Sequence, residues 1–147
     1  MLRGIKFGLP ICEDIWQPEV AECLQESGAD ILVALNASPF DSAKPERRMS
    51  TAVARTVETG LPLIYVNMVG GQDELVYDGA SFALNFDGSL ASHLPSFSET
   101  VVLVQLSLTT GHISLSGQVT PPDEDMKALY RGVMLGLRDY VQKNGFT

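Results

Sequence analysis

Asp30-Ile31-Leu32-Val33-Ala34-Leu35 decides the fold. After its single acid the run is apolar at every position, with no in–out alternation. A strand reads this way when both of its faces are covered, as in a parallel sheet flanked by helices. Upstream, Gly28 closes a helix that opens at Pro18, with Val20, Cys23, Leu24 and Ser27 on one face. Cys23, between Val20 and Leu24, reads as a packing residue. Ile5 to Ile11, before that helix, reads as a strand with a late proline. Downstream, Asn36 to Lys44 is a loop, and Pro45 opens a second helix with Met49, Ala52, Val53, Thr56 and Val57 at helical spacing. Gly60 stops that helix, and Leu61 to Asn67 is another buried strand. Strand, helix, strand, helix, strand is the alternation of an α/β layer.

Past Asn67 the pattern changes. Gly70-Gly71-Gln72-Asp73-Glu74 reads as a polar turn-rich loop that places backbone near a site or at a contact. It lacks the spacing and the Lys-Ser/Thr end of a phosphate loop. Ser81 to Asn85, Leu90 to Leu94 and Val101 to Leu106 read as short strands, the first two joined in a hairpin at Phe86-Asp87-Gly88-Ser89. Residues 107–121 are weakly patterned and read as a linker or extended arm. A third helix follows, with Met126, Leu129, Tyr130, Val133, Leu137 and Tyr140 on one apolar face. Acids at its start and Arg138 and Lys143 at its end suit the helix dipole. So broad an apolar face calls for a partner layer, and the expectation is that a second domain begins there.

Composition narrows the classes. The chain has 147 residues, enough for one ordinary domain or a piece of a larger one. At 45% apolar and 19% charged it is too apolar for a disordered chain. No apolar run approaches the ~20 residues of a membrane span, and Met1-Leu2-Arg3-Gly4 does not open a signal peptide. A net charge of −8 argues against nucleic acid as a partner. Two cysteines in unlike contexts point to a reducing, cytoplasmic protein. His93 and His112 lie far in sequence from both, so no metal-ligand spacing exists.

The chemistry concentrates in Leu9-Pro10-Ile11-Cys12-Glu13-Asp14-Ile15-Trp16. Pro10 and the acid pair end a strand sharply, which holds Cys12 away from the sheet with the Glu13 backbone N–H beside it. Nucleophile and half an oxyanion hole can be made from such consecutive residues. Direct proton abstraction by Glu13 or Asp14 is awkward, so these acids read as anchors of the turn. Trp16 either walls a pocket or caps the core. In a parallel sheet ligands bind at the rim where strand ends converge. Cys12, Ser38 and the Asn67-Met68 pair each follow such an end, and Lys44 can bring positive charge toward them. Arg47 and Arg48 read as a solvated helix start.

These residues carry a resemblance. Leu9 to Trp16, Gly28 to Leu32, Asn36-Ala37-Ser38-Pro39-Phe40 and Gly60 to Asn67 resemble the nitrilase, or carbon–nitrogen hydrolase, superfamily. Gly70 to Phe82 is the more diagnostic stretch. It is similar to the glutaminase domain of the glutamine-dependent NAD synthetase family, and Gly136 to Phe146 resembles the first helix of that family's ATP-dependent domain. The resemblance implies an α/β fold, part of a nitrilase-type α-β-β-α sandwich, followed by a linker and a helix. It divides the chain into 1–106, the C-terminal half of the hydrolase domain, a linker at 107–121, and a synthetase helix at 122–147. It implies a glutamate base, an oxyanion lysine and a cysteine nucleophile that forms a thioester with glutamine, the ammonia then amidating deamido-NAD with ATP. Cys12 matches the nucleophile. Glu13, through its backbone N–H, together with Trp16, Ser38 and Lys44, matches substrate-binding positions. No metal ligand is implied in these residues, and ATP and magnesium belong to the synthetase domain. Self-association into a homo-oligomer is implied as well.

In the family both the base and the lysine precede the cysteine. No glutamate precedes Cys12 here, and Lys6 stands too close to it in sequence. The expectation is an internal piece of the enzyme, inactive on glutamine by itself. Two rivals remain: a free-standing nitrilase-type amidase, and a non-catalytic α/β fragment.

Overall fold

A computed structural model describes residues 1–42, 44–109 and 111–146, without the side chains of Lys44 and Thr109. Its centre is the run that decides the fold. Strand β2, Ile31–Asn36, lies between β1, Phe7–Gly8, and β3, Leu63–Asn67, and pairs with both in parallel. Helix α1, Pro18–Glu26, and helix α2, Lys44–Thr59, make the crossovers. β6, Phe82–Leu84, and β7, Leu90–His93, add antiparallel, giving the order β1-β2-β3-β6-β7. The helices cover one face of this sheet, where Ile15, Leu32, Ala34, Ala52, Leu63, Tyr65 and Leu84 form the main core.

β1 approaches α1 closely because residue 8 is glycine. A Cβ there would stand 3.3 Å from Leu24 Cβ on α1, and only 2.9 Å from Leu32 Cδ2 on β2. Only Phe7 and Gly8 join the ladder, since Pro10 has no N–H to give. Pro10 does accept a hydrogen bond from the Leu35 N–H at 3.2 Å, so the chain stays beside β2 as far as Ile11.

Three stretches depart from the sequence reading. The polar loop at 70–74 is a hairpin: β4, Val69–Gln72, pairs with β5, Leu75–Asp78, around Asp73 and Glu74. The strand expected at 101–106 begins only at Gln105. It runs as β8, Gln105–Thr109, and pairs with β9, His112–Ser116. Much of the expected linker is therefore strand. Ile113 and Leu115 are buried and close the sheet's second face against Ile31, Ala83 and Ala91. Alternation in Gln105-Leu106-Ser107-Leu108 and His112-Ile113-Ser114-Leu115 carried that signal, obscured by the serines. The hairpin turn at Asp87-Gly88 forms as expected, with the Ser89 N–H donating to Asp87 Oδ1 at 3.0 Å.

Helix α3, Asp125–Lys143, packs on β4 and β5. Gly136 makes the close approach to that hairpin. Gly132 and Leu135 are buried, and a Cβ at Gly71 would stand 3.0 Å from the Gly136 Cα. The apolar face expected to need a partner is turned outward, with Leu129, Tyr130, Val133 and Leu137 each more than half exposed. No described helix is long and apolar enough to cross a membrane.

Candidate active site

The corner at Cys12 is built by backbone. Ile11 is extended, and Cys12 then takes φ +52° at the head of a single 3-10 turn, Cys12–Trp16. A left-handed conformation costs a non-glycine residue about 1–2 kcal/mol. Such strain persists only where neighbours impose it. Here Asp14 imposes it: its carboxylate accepts from the Ile11 N–H at 2.9 Å, and its own N–H donates to the Ile11 carbonyl at 3.1 Å. Ile15, 1% exposed, pins the turn to the core. Asp14 thus anchors the turn, while Glu13 is exposed. Trp16 is half-buried and packs against the main core, which favours capping.

Across the rim, β2 and β3 end in register at Asn36 and Asn67. The loop after β2 brings Ser38 into a buried polar cluster. Asn67 Oδ1 accepts from the Ser38 N–H at 2.9 Å, and Asn67 Nδ2 donates to the Ser38 carbonyl at 3.2 Å. Arg48 donates to Ser38 Oγ at 3.1 Å and to both oxygens of Asp78 at 2.8 Å. It also donates to the carbonyls of Ser38 and Pro39 at 2.8 and 2.9 Å. Arg48 and Asp78 are 3% and 2% exposed. The solvated helix start expected for Arg48 is corrected here, while Arg47 is exposed as expected. The signal was helical phase: Arg48, Ala52, Arg55 and Thr59 recur at i, i+4, i+7 and i+11, and all are buried.

Tyr65 stands under this cluster, stacked on Phe82 with centroids 4.8 Å apart. Its hydroxyl is buried beside Ser38 without a hydrogen bond of ordinary geometry. Burial pushes its pKa up, Arg48 and Ser38 pull it down, and negative charge at Cys12 and Asp78 adds to the rise, so the net direction is upward. Tyr65 therefore feels both Cys12 and the Ser38 cluster.

Cys12 and Ser38 thus share the rim, with Asn67, Arg48 and Asp78 behind Ser38. The Lys44 side chain lies outside the described residues. Cys23 is exposed, against the packing role expected of it, because α1 turns Ala21 and Leu24 toward the core. A cavity of about 650 Å³ opens between α2 and α3, lined by Phe40, Met49, Asp78, Phe97, Asp123 and Met126 among others. Neither Cys12 nor Ser38 lines it. Among the described residues no cluster of three or more His, Cys, Asp or Glu side chains could hold a metal ion.

Residues 1–112 match the family model described as carbon-nitrogen hydrolase. The chain is 45% identical over 147 residues to a protein of Rhodobacter capsulatus named glutamine-dependent NAD(+) synthetase, an alignment covering 99% of this chain and 27% of that protein. A glutamine-dependent NAD+ synthetase from Acinetobacter baumannii, solved with adenosine diphosphate, superposes with a TM-score of 0.90 at 36% identity, over 99% of this chain and 28% of that one. An amidase from Nesterenkonia sp. AN1 superposes with a TM-score of 0.59 at 27% identity, over 65% of this chain and 37% of that one; its structure shows Michael addition of acrylamide at the active site cysteine. The chain therefore spans about a quarter of the length of the curated relative.

Proposed function

The chain belongs to the carbon–nitrogen hydrolase family, and from that premise we propose that it carries the nucleophile of a glutamine amidohydrolase that feeds ammonia to NAD synthesis. The observation that carries the reading is Cys12, the one residue of the corner held at positive φ, at the rim of the parallel strands beside the Ser38 loop.

The Cys12 thiolate attacks the side-chain amide carbon of glutamine. A C–S bond forms, and the carbonyl oxygen becomes an oxyanion facing the Glu13 backbone N–H. As it collapses the C–N bond breaks, and the nitrogen takes a proton and leaves as ammonia. Water then attacks the thioester, releasing glutamate and returning the thiol. Asp14 is committed to the Ile11 N–H and Glu13 is exposed, so neither serves as base. The base glutamate and oxyanion lysine of the family pattern match no residue among 1–11. Ser38 and Lys44 take the amino-acid end of glutamine, and Trp16, which caps the core with its buried part, borders it with the part left exposed.

The ammonia is used to amidate deamido-NAD in an ATP-dependent step. Residues 1–147 hold no phosphate loop, and the described residues no acidic metal cluster, so that step is assigned no residue here. Within the same proposal, 1–106 are the hydrolase part and 122–147 the first helix of a synthetase part. Magnesium use, residence in the cytoplasm and self-association also belong to it, supported by the resemblance alone.

The test is labelling in the protein at its full natural length. A diazoketone analogue of glutamine should modify Cys12 and leave Cys23 untouched, although Cys23 is the more exposed thiol. Cys12→Ala should abolish both glutamine hydrolysis and glutamine-dependent NAD formation. Equal labelling of the two cysteines, or hydrolysis surviving in Cys12→Ala, overturns the reading. Hydrolysis of simple amides in preference to glutamine would replace it with a nitrilase-type amidase.

A further inference from the structure

We propose that Arg48 and Asp78 are the positioning pair of the site, holding Ser38 so that its hydroxyl donates to an acceptor group on the substrate. The proposal rests on the reading of Ser38 as a substrate contact.

A buried ion pair is a poor way to stabilise a fold. Apolar residues of similar volume often serve as well or better, because both charges must leave water. Arg48 and Asp78 are nonetheless almost fully buried, and the hydrogen bonds of Arg48 are spent on one place. Its Nε reaches the Ser38 hydroxyl oxygen, and one terminal nitrogen reaches the carbonyls of Ser38 and Pro39. Its other terminal nitrogen is held by the two Asp78 oxygens, which fixes the guanidinium plane. Asn67 completes the frame by binding the Ser38 N–H, the Ser38 carbonyl and Asp78 Oδ1 at once. The next residue but one, Phe40, is tied to β5 through the Val76 carbonyl at 2.7 Å.

Every polar atom of Ser38 is therefore engaged, and the way it is engaged has a chemical result. Ser38 Oγ accepts from a cation, so its own hydrogen points away from Arg48, where the Tyr65 hydroxyl oxygen beside it and an acceptor on the substrate are the groups it can serve. A hydroxyl that accepts from a cation is also the stronger donor. It suits an anionic or carbonyl acceptor, such as the carboxylate of an amino-acid substrate. Lysine in place of Arg48 would keep the charge and lose the fork that orients three atoms at once.

The experiment uses two variants of the protein at its full natural length. Arg48→Lys keeps the charge opposite Asp78. The double variant R48M/D78L replaces the pair by apolar side chains of similar size, the kind of change that preserves folding. Both should melt cooperatively, raise the glutamine KM by about tenfold or more, and leave kcat and the rate of Cys12 alkylation by iodoacetamide close to wild type. A folded variant with unchanged KM overturns the proposal, as does one whose kcat and alkylation rate fall with KM. If neither variant folds, the pair is structural and the proposal falls. Failure of the functional reading looks different: the unmodified protein would then show no Cys12-dependent glutamine hydrolysis.

Discussion

Helices α2 and α3 invert the usual rule in opposite ways. α2 buries two arginines, Arg48 and Arg55, beside Ala52 and Thr56. α3 turns Leu129, Tyr130, Val133 and Leu137 to the surface and packs through Gly132, Leu135 and Gly136. The neighbour decides in each case. α2 lies over a rim where the carbonyls of Ser38 and Pro39 and the carboxylate of Asp78 all accept from Arg48. α3 lies on the glycine-rich strand β4, where only small residues allow close approach. There Asp139 accepts from the Gly71 N–H at 2.7 Å, and Lys143 donates to the Gly71 carbonyl. One helix is held by charge inside, the other by backbone contact.

Removing one charge under α2 should have the largest effect. Asp78→Ala strands the Arg48 cation in the interior and should cost about 3–5 kcal/mol in denaturant unfolding. Crowding the close approach under α3 comes next. Gly71→Ala sets a methyl 3.0 Å from the Gly136 Cα, a backbone atom that cannot swing away. It should cost about 1–3 kcal/mol, seen as faster amide exchange along α3 and not along α2.

The α3 contact should also loosen in acid. Burial pushes the Asp139 carboxyl up, but the Gly71 N–H, Arg138 and Lys143 pull it below the usual carboxylate range. Asp123 is lowered likewise, burial being outweighed by Lys127 and Arg131. A carboxyl depressed by folding stabilises the fold above its unfolded value, near about 4, and loses that contribution as pH falls through the folded value. Stability of the α3 docking should therefore be flat above about pH 5 and decline below about pH 4, and Asp139→Asn should remove part of the decline. The smallest effect belongs to the outward face. Leu129→Gln should change stability by no more than about 0.5 kcal/mol, where the same change at Leu135 should be severe.

The same contrast explains what the sequence made legible. Ile31 to Leu35 and Leu61 to Asn67 announced buried parallel strands because continuous apolar runs have few other uses. The Cys12 corner was readable because Pro10 and two acids interrupt a strand at one point. Arg48 was misread because an arginine pair at a helix start is normally solvated, and its partner Asp78 lies 30 residues on. The outward turn of α3 was hidden for a related reason. Periodicity identifies an apolar face, but Gly136 fits closely against Gly71 and Val76 while Gly132 fits against Phe40 and Phe97, and the first of these depends on a hairpin the glycines of 70–71 disguised as a loop. Residues 107–121 lost their strand signal to serine and glycine, whose weak hydropathy masks a period of two.

The β8–β9 hairpin also sets a timetable. It is the cover for Ile31, Ala83 and Ala91, yet it is made long after the first of them. At about 5–20 residues per second the ribosome delivers Ile113 roughly 4–16 s after Ile31. Ala91 is made well after Ile31, so the second face is whole but uncovered for about the last 1–4 s of that interval, and in that window newborn copies crowded on one messenger present a bare adhesive surface to one another.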